Sequence, residues 1–266
     1  VTAAWQLQRI ALNVADLAAA TRFYVEALGF ALDVAETADP ALARLLGVRA
    51  LRWVRLRRGA QILELSACDP PGAPMPPDGR SNDAWFQHCA LVTSDMASDY
   101  QLLLRFRFTP ISRGGPQTLP GGIVAFKFRD PDGHPLELIT FPRPDPATLG
   151  GIDHSAICVA DATRSIDFYA DRLGLRVAAR QVNTGQAQDA LDDLEDALVD
   201  VVALECPRPG PHLELLGYRH PIGRAGRLHP GDIGASRLVF CSGADGDAAL
   251  LHDPDGHAVL LLNGVL

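Results

Sequence analysis

The chain has 266 residues, with 24 Lys and Arg against 32 Asp and Glu, for a formal net charge of −8. That length allows about two domains of roughly 100–200 residues each, and 47% hydrophobic against 21% charged residues is the balance of a globular chain rather than a disordered one. The acidic balance, with Lys127 the single lysine and the arginines scattered, argues against a nucleic-acid groove. No apolar run approaches the ~20 residues of a membrane helix, and the opening VTAAWQLQRIALNVAD lacks the basic and long apolar regions of a secretory signal. Cys68, Cys89, Cys158, Cys206 and Cys241 include no C-x-x-C pair and sit mostly among apolar neighbours, as expected of reduced thiols in a cytoplasmic protein.

In chain order, residues 10–14 alternate as a short strand and Asp16 is a natural N-cap for the helix that follows. Leu17, Ala20, Phe23, Tyr24, Ala27 and Leu28 then recur at helical spacing, and Gly29 stops the helix as a C′ glycine does. The Phe-Tyr pair belongs to that helix's core face. Strand patterns follow at 51–56 and 61–65, and a Pro-rich linker runs from 70 to 77. The pattern restarts with a strand at 88–92, a cap at Asp95 and a helix over 96–106. Strands at 123–128 and 136–141 are joined by a D-P-D-G turn, which places His134 as a turn residue. Residues 115–122 and 183–188 are polar, Gly-containing connections able to form the rim of a site.

The same order of elements then recurs. Residues 155–175 repeat 10–30 at an offset of 145, matching Asp161 to Asp16, Phe168-Tyr169 to Phe23-Tyr24 and Gly174 to Gly29. LHDPDGHAVLLL at 251–262 repeats FRDPDGHPLELI at 128–139, with His257 in the place of His134. That offset is only 123, so the second copy has lost 22 residues. Between Glu214 and Asp253 there is room for a strand at 237–242 and hardly for a full helix. The chain therefore divides into duplicated halves, 1–145 and 151–266, joined by 142–150. Each half holds two βαβββ units, and the last unit is truncated.

The string ending F-Y-x-x-x-L-G, followed by D-P-D-G-H-x-x-E-L, resembles the vicinal oxygen chelate superfamily, which includes glyoxalase I, extradiol dioxygenases, methylmalonyl-CoA epimerase and the fosfomycin and bleomycin resistance proteins. The resemblance implies an α+β fold in which βαβββ units form two cupped mixed sheets. It also implies metal ligands: a His seven positions before each capping Asp, and a carboxylate in each unit's last strand. Carried onto this sequence, those positions are Arg9 and Glu64, His88 and Glu137, His154 and Glu214, and, by strand alignment, Arg237 with Leu260. Imidazole and carboxylate suit a divalent Zn, Fe, Mn or Ni ion with faces left open for substrate oxygens. A guanidinium cannot ligate, so Arg9 is assigned instead to a substrate carboxylate or phosphate, or to Glu64. His212, two residues before Glu214 on the same strand face, is a further candidate ligand or partner.

Two pairings of units are compatible with this pattern. If neighbours within a half share a cup, neither cup has a full ligand set. If the middle units pair, one cup collects His88, Glu137, His154 and Glu214, and the other is left with Arg9, Glu64, Arg237 and Leu260. The resemblance implies metal-dependent chemistry on a small substrate with two adjacent oxygens, by a lyase, isomerase or ring-cleaving dioxygenase, with Glu137 or Glu64 moving a proton. The alternative is a non-catalytic binder of the bleomycin-resistance type, favoured by Arg9, Arg237 and Leu260. Neither reading requires nucleic acid or membrane, and a homodimer is compatible with both.

Overall fold

A computed structural model describes residues 5–146, 148–207 and 210–263. The first unit runs β1 (Gln6–Asn13), α1 (Leu17–Leu28), β2 (Ala31–Ala38), α2 (Pro40–Leu46), β3 (Ala50–Arg58) and β4 (Gln61–Asp69). The second runs β5 (Gln87–Val92), α3 (Met96–Leu103), β6 (Thr109–Pro110), β7 (Gln117–Thr118), β8 (Val124–Arg129) and β9 (Pro135–Thr140). The third comprises β10 (Ile152–Cys158), α4 (Ala162–Leu173), β11 (Arg176–Thr184), α5 (Gln186–Asp192), β12 (Leu198–Glu205) and β13 (His212–His220). The fourth keeps β14 (Ser236–Ser242), β15 (Ala249–His252) and β16 (Ala258–Asn263), with no helix among its described residues.

The long helices begin and end as their sequences dictate. The Asp16 carboxylate accepts from the Ala19 N–H at 3.0 Å, and Asp161 accepts from Thr163 and Arg164 at the start of α4. Gly29 and Gly174 both take the left-handed conformation at φ 70°, where a side chain would be strained.

Two mixed sheets result, and they cut across the sequence halves. One has seven strands in the order β15-β16-β14-β1-β4-β3-β2, joining the first and fourth units. The other has nine, ordered β11-β12-β13-β10-β5-β9-β8-β6 with β7 on β8, and joins the second and third. At the centre of each, first strands pair antiparallel, β1 with β14 and β10 with β5. The middle units therefore share one cup and the outer units the other, which decides between the two pairings.

The halves nonetheless keep their own hydrophobic cores. One core packs α1, α3 and their strands around Tyr24, Leu63, Phe126 and Phe128, and draws on residues 10–152. The second gathers Tyr169, Leu173, Leu215, Phe240 and Val259, with Leu7 as the contribution from β1. The duplicated motifs tie each half together. The Tyr24 hydroxyl donates to Asp130 of the D-P-D-G-H turn at 2.8 Å, and Tyr169 donates to Asp253 at 3.2 Å. His134 Nε2 then meets the Asn13 carbonyl at 2.6 Å, and His257 Nε2 the Cys158 carbonyl at 2.8 Å. Both histidines are buried turn residues that bond one unit to its neighbour, so neither is available as a ligand. All five cysteines are free thiols, buried except for the half-buried Cys206.

Two elements differ from expectation. Residues 183–188 are not a loop: β11 continues to Thr184, and α5 starts at Gln186. Its counterpart α2 was equally silent in the sequence. Each is only seven residues long, too short for an apolar period to stand out. Among the described residues, no helix is long and apolar enough to cross a membrane.

Candidate metal centre

In the nine-stranded sheet, β5, β9, β10 and β13 run side by side, and four side chains converge on the cupped face. His88 Nε2 lies 3.4 Å from Glu137 Oε2, and His154 Nε2 lies 3.7 Å from the same oxygen. Glu214 Oε2 stands 3.6 Å from His154 Nε2. One ligand atom each from His88, Glu137 and His154 falls within a 4.8 Å group, and all three residues are buried. Glu214 is outside that group and turns its other oxygen to His212 Nε2, 3.3 Å away.

Electrostatics holds this cluster charged against burial. Burial alone would lower the His154 pKa, but Glu214, Asp153 and Glu137 raise it to about 9. Burial would likewise raise Glu214, yet His154 and His212 bring it down to about 2. His88 is pushed the other way, lowered by burial and by the nearby Lys127 ammonium, so it is a neutral imidazole. Glu137 stays below the usual carboxylate range despite burial, through His88, Lys127 and His154.

These residues fit a divalent cation. Both ring nitrogens of His88 are buried without a hydrogen-bond partner, an arrangement that costs free energy unless something occupies a lone pair. Two imidazoles and a carboxylate are suitable donors for Zn, Fe, Mn or Ni. The orientation of His154 is set from behind, because its Nδ1 meets Asp153 Oδ2 at 2.9 Å, leaving Nε2 to face Glu137 and Glu214. Asp153 is itself steadied by the Thr148 hydroxyl at 3.0 Å. Asp153 is a residue that sequence reasoning missed, although its place directly before His154 was a usable signal.

The centre opens into a cavity of about 410 Å³. His88, Glu137, His154, His212 and Glu214 line it, beside apolar walls from Ile139, Phe141, Leu191, Val201 and Ala203.

Of the two roles expected of Arg9, the structure shows the pairing with Glu64, and Glu64 stands away from the centre at Glu137. Both belong to the seven-stranded sheet, where Arg9 Nε donates to Glu64 Oε2 at 2.8 Å and Arg55 Nε reaches the same oxygen at 3.2 Å. Neither lines the cavity. Glu64 is locked between guanidinium groups, so it is not placed to move a proton for the centre at Glu137. Arg9 is bonded within its own sheet rather than poised for a substrate in that cavity. Arg237, fully buried, donates to Asn13 Oδ1 at 2.6 Å and to Ser66 Oγ at 3.0 Å, while Leu260 packs into the apolar filling of that cup.

The fold and this geometry agree with the relationships of the chain. It belongs to the Glyoxalase/Bleomycin resistance protein/Dioxygenase superfamily, which it matches over residues 6–138 and 151–236. Glyoxalase I from Zea mays is similar in structure, with 18% identity, 97% of this chain and 92% of that one covered, and a TM-score of 0.64. A putative dioxygenase from Bacillus subtilis subsp. subtilis str. 168 is similar at 15% identity, covering 100% and 87% of the two chains, with a TM-score of 0.63. At those identities the likeness is one of fold. No curated protein matches the sequence.

Proposed function

We infer that this chain is a metal-dependent enzyme whose centre lies in the cup of the middle units and acts on a small molecule through two adjacent oxygens. The observation that carries this reading is the convergence of buried His88, Glu137 and His154 at the mouth of a cavity, with both nitrogens of His88 unpartnered. A divalent ion held there supplies Lewis acidity to the paired oxygens of a guest. The remaining work belongs to the chain. His154, oriented by Asp153, and Glu137, flanked by Lys127, keep the donor set rigid. Glu214, which faces the cavity with one oxygen 3.6 Å from His154 Nε2, is placed either to add a fourth oxygen donor or, once His154 is neutral, to take a proton from the guest and return it. The apolar walls exclude water from the exchange.

This arrangement favours proton-transfer chemistry of the lyase or isomerase kind. Two imidazoles with one carboxylate is also the donor set of non-haem iron oxygenases, so the metal that copurifies separates that second reading from the first. The features that favoured a non-catalytic binder, Arg9, Arg237 and Leu260, all lie in the other cup. The test is metal analysis of purified wild type beside His88→Ala. One equivalent of metal in the wild type and its loss in the variant supports the centre; equal metal content in both defeats it.

A further inference from the structure

The duplication supplies an internal control for the cavity, because β8, β9, β13 and α5 have counterparts in β15, β16, β4 and α2 of the other cup. Lys127 stands opposite Glu137 on neighbouring strands, and Leu250 stands opposite Leu260 at the matching place. Asp192 and Gln188 on α5 correspond to Leu46 and Leu42 on α2, counting back from the left-handed cap that ends each helix. Tyr218 on β13 corresponds to Cys68 on β4, by the strand registers. In the outer cup the apolar set packs together as part of one cluster. In the middle cup the same positions hold a buried polar network: Lys127 Nζ donates to Asp192 Oδ1 at 2.7 Å, Gln188 Nε2 to Asp192 Oδ2 at 2.7 Å, and the Tyr218 hydroxyl to that oxygen at 2.8 Å.

The scaffold evidently closes with apolar residues at these positions. A buried ionic network is rarely more stable than a well-packed apolar one, so its presence in the cup that carries the ligands needs a reason other than stability. Its orientation provides one. Lys127, Gln188 and Tyr218 line the cavity, whereas Asp192 does not. Asp192 divides its two oxygens among three donors, and Glu137, the other carboxylate facing Lys127, is turned to His88 and His154. An ammonium has three N–H donors, and among the described residues Asp192 is its one hydrogen-bond acceptor. Lys127 is also the one Lys or Arg among the residues lining the cavity.

We propose that Lys127, aimed by Asp192, is a specificity-determining residue that receives a carboxylate of the guest, so that the substrate is a small organic acid with two adjacent oxygens for the metal and an anionic group beyond them. The apolar wall of Ile139, Phe141 and Leu191 takes the carbon body between these anchors. This inference rests on the metal reading of the same cavity, and the test keeps the two apart.

Zinc-loaded protein, redox-inert with dihydroxybenzenes, is titrated with catechol and with 2,3- and 3,4-dihydroxybenzoate. Difference absorbance reads binding, and zinc content is measured on the same samples. A charge-assisted hydrogen bond in a desolvated site predicts that wild type binds at least one of the two acids about tenfold or more tightly than catechol. Lys127→Met erases that preference, with the affinities for acid and catechol compared as a ratio per zinc bound, because Lys127 also faces Glu137. Because this variant strands Asp192, the double variant Lys127→Leu/Asp192→Leu, which copies the outer cup, is tested beside it and gives the same loss of preference in a folded protein. Equal affinities in the wild type, or a preference that survives in the double variant, overturn the role of Lys127 while zinc is still bound. Failure of wild type to hold zinc at all overturns the metal reading, and the subsite falls with it.

Discussion

The two cups share a scaffold and differ in what fills them. In the middle cup Val201 and Ala203 on β12 leave space, and a cavity of about 410 Å³ opens over the donor set. At the matching positions of the outer cup, by strand register, stand Trp53 and Arg55. The Arg55 guanidinium lies over the Trp53 ring at 4.2 Å from its centroid, a cation–π contact between the two bulky side chains at those positions. Leu42, Ala43 and Leu46 of α2 then pack against Leu51, Val239 and Leu260. Replacing both ligand imidazoles by arginine and one carboxylate by leucine thus goes together with closing the space where a guest would sit. One cup is filled by packed side chains, and the other keeps a cavity beside a cluster of candidate ligands. Duplication allowed this, since the two cores that hold each half lie apart from the cupped faces.

The sharpest way to break this comparison is to remove one imidazole. His88→Ala or His154→Ala should lower metal affinity by more than the roughly 10–100-fold that an outer-shell partner costs, while Arg9→Ala leaves it unchanged; titration against a chromogenic chelator reads both. Removing the buried carboxylate of the outer cup acts in the opposite place. Glu64→Gln strands the buried Arg9 charge and should cost roughly 3–5 kcal/mol of stability, read by urea denaturation, with no loss of metal.

Much of the middle cup was legible in the sequence. The family resemblance marks His88 and His154, seven residues before capping aspartates, and Glu137, after its D-P-D-G-H turn, as ligand positions. Their convergence depended on which units pair, and that is set by β5 against β10, strands whose sequences are uniformly buried and so show no preference for a partner. The Lys127–Asp192 network was illegible for another reason. Asp192 lies on a seven-residue helix with no readable period, and its partners come from β8 and β13. Trp53 and Arg55 read as an ordinary strand, because the space they fill exists only once the sheet has curled.

Two smaller effects sharpen the account. Asp153→Asn should weaken metal binding about 10–100-fold by removing the carboxylate that orients His154, and should destabilise the metal-free fold by losing one of the carboxylates that pair with it; isothermal titration measures the first and thermal melting the second. In metal-free protein, His154 has its pKa raised to about 9 by surrounding carboxylates, above an unfolded value of about 6.5. Its contribution to stability is therefore complete below about pH 6.5 and fades as pH rises through 9, by about 3 kcal/mol. The arginines of the outer cup do not titrate in that window, so the fade should be absent from a His154→Gln variant melted in urea at pH 6 and pH 9.

The most direct test of an asymmetric pair of cups is anomalous diffraction at the metal edge from crystals of protein carrying its copurified ion. The account predicts one peak per chain, in contact with His88, Glu137 and His154. A peak beside Glu64 and Arg9, or no peak from protein shown to contain metal, would contradict it.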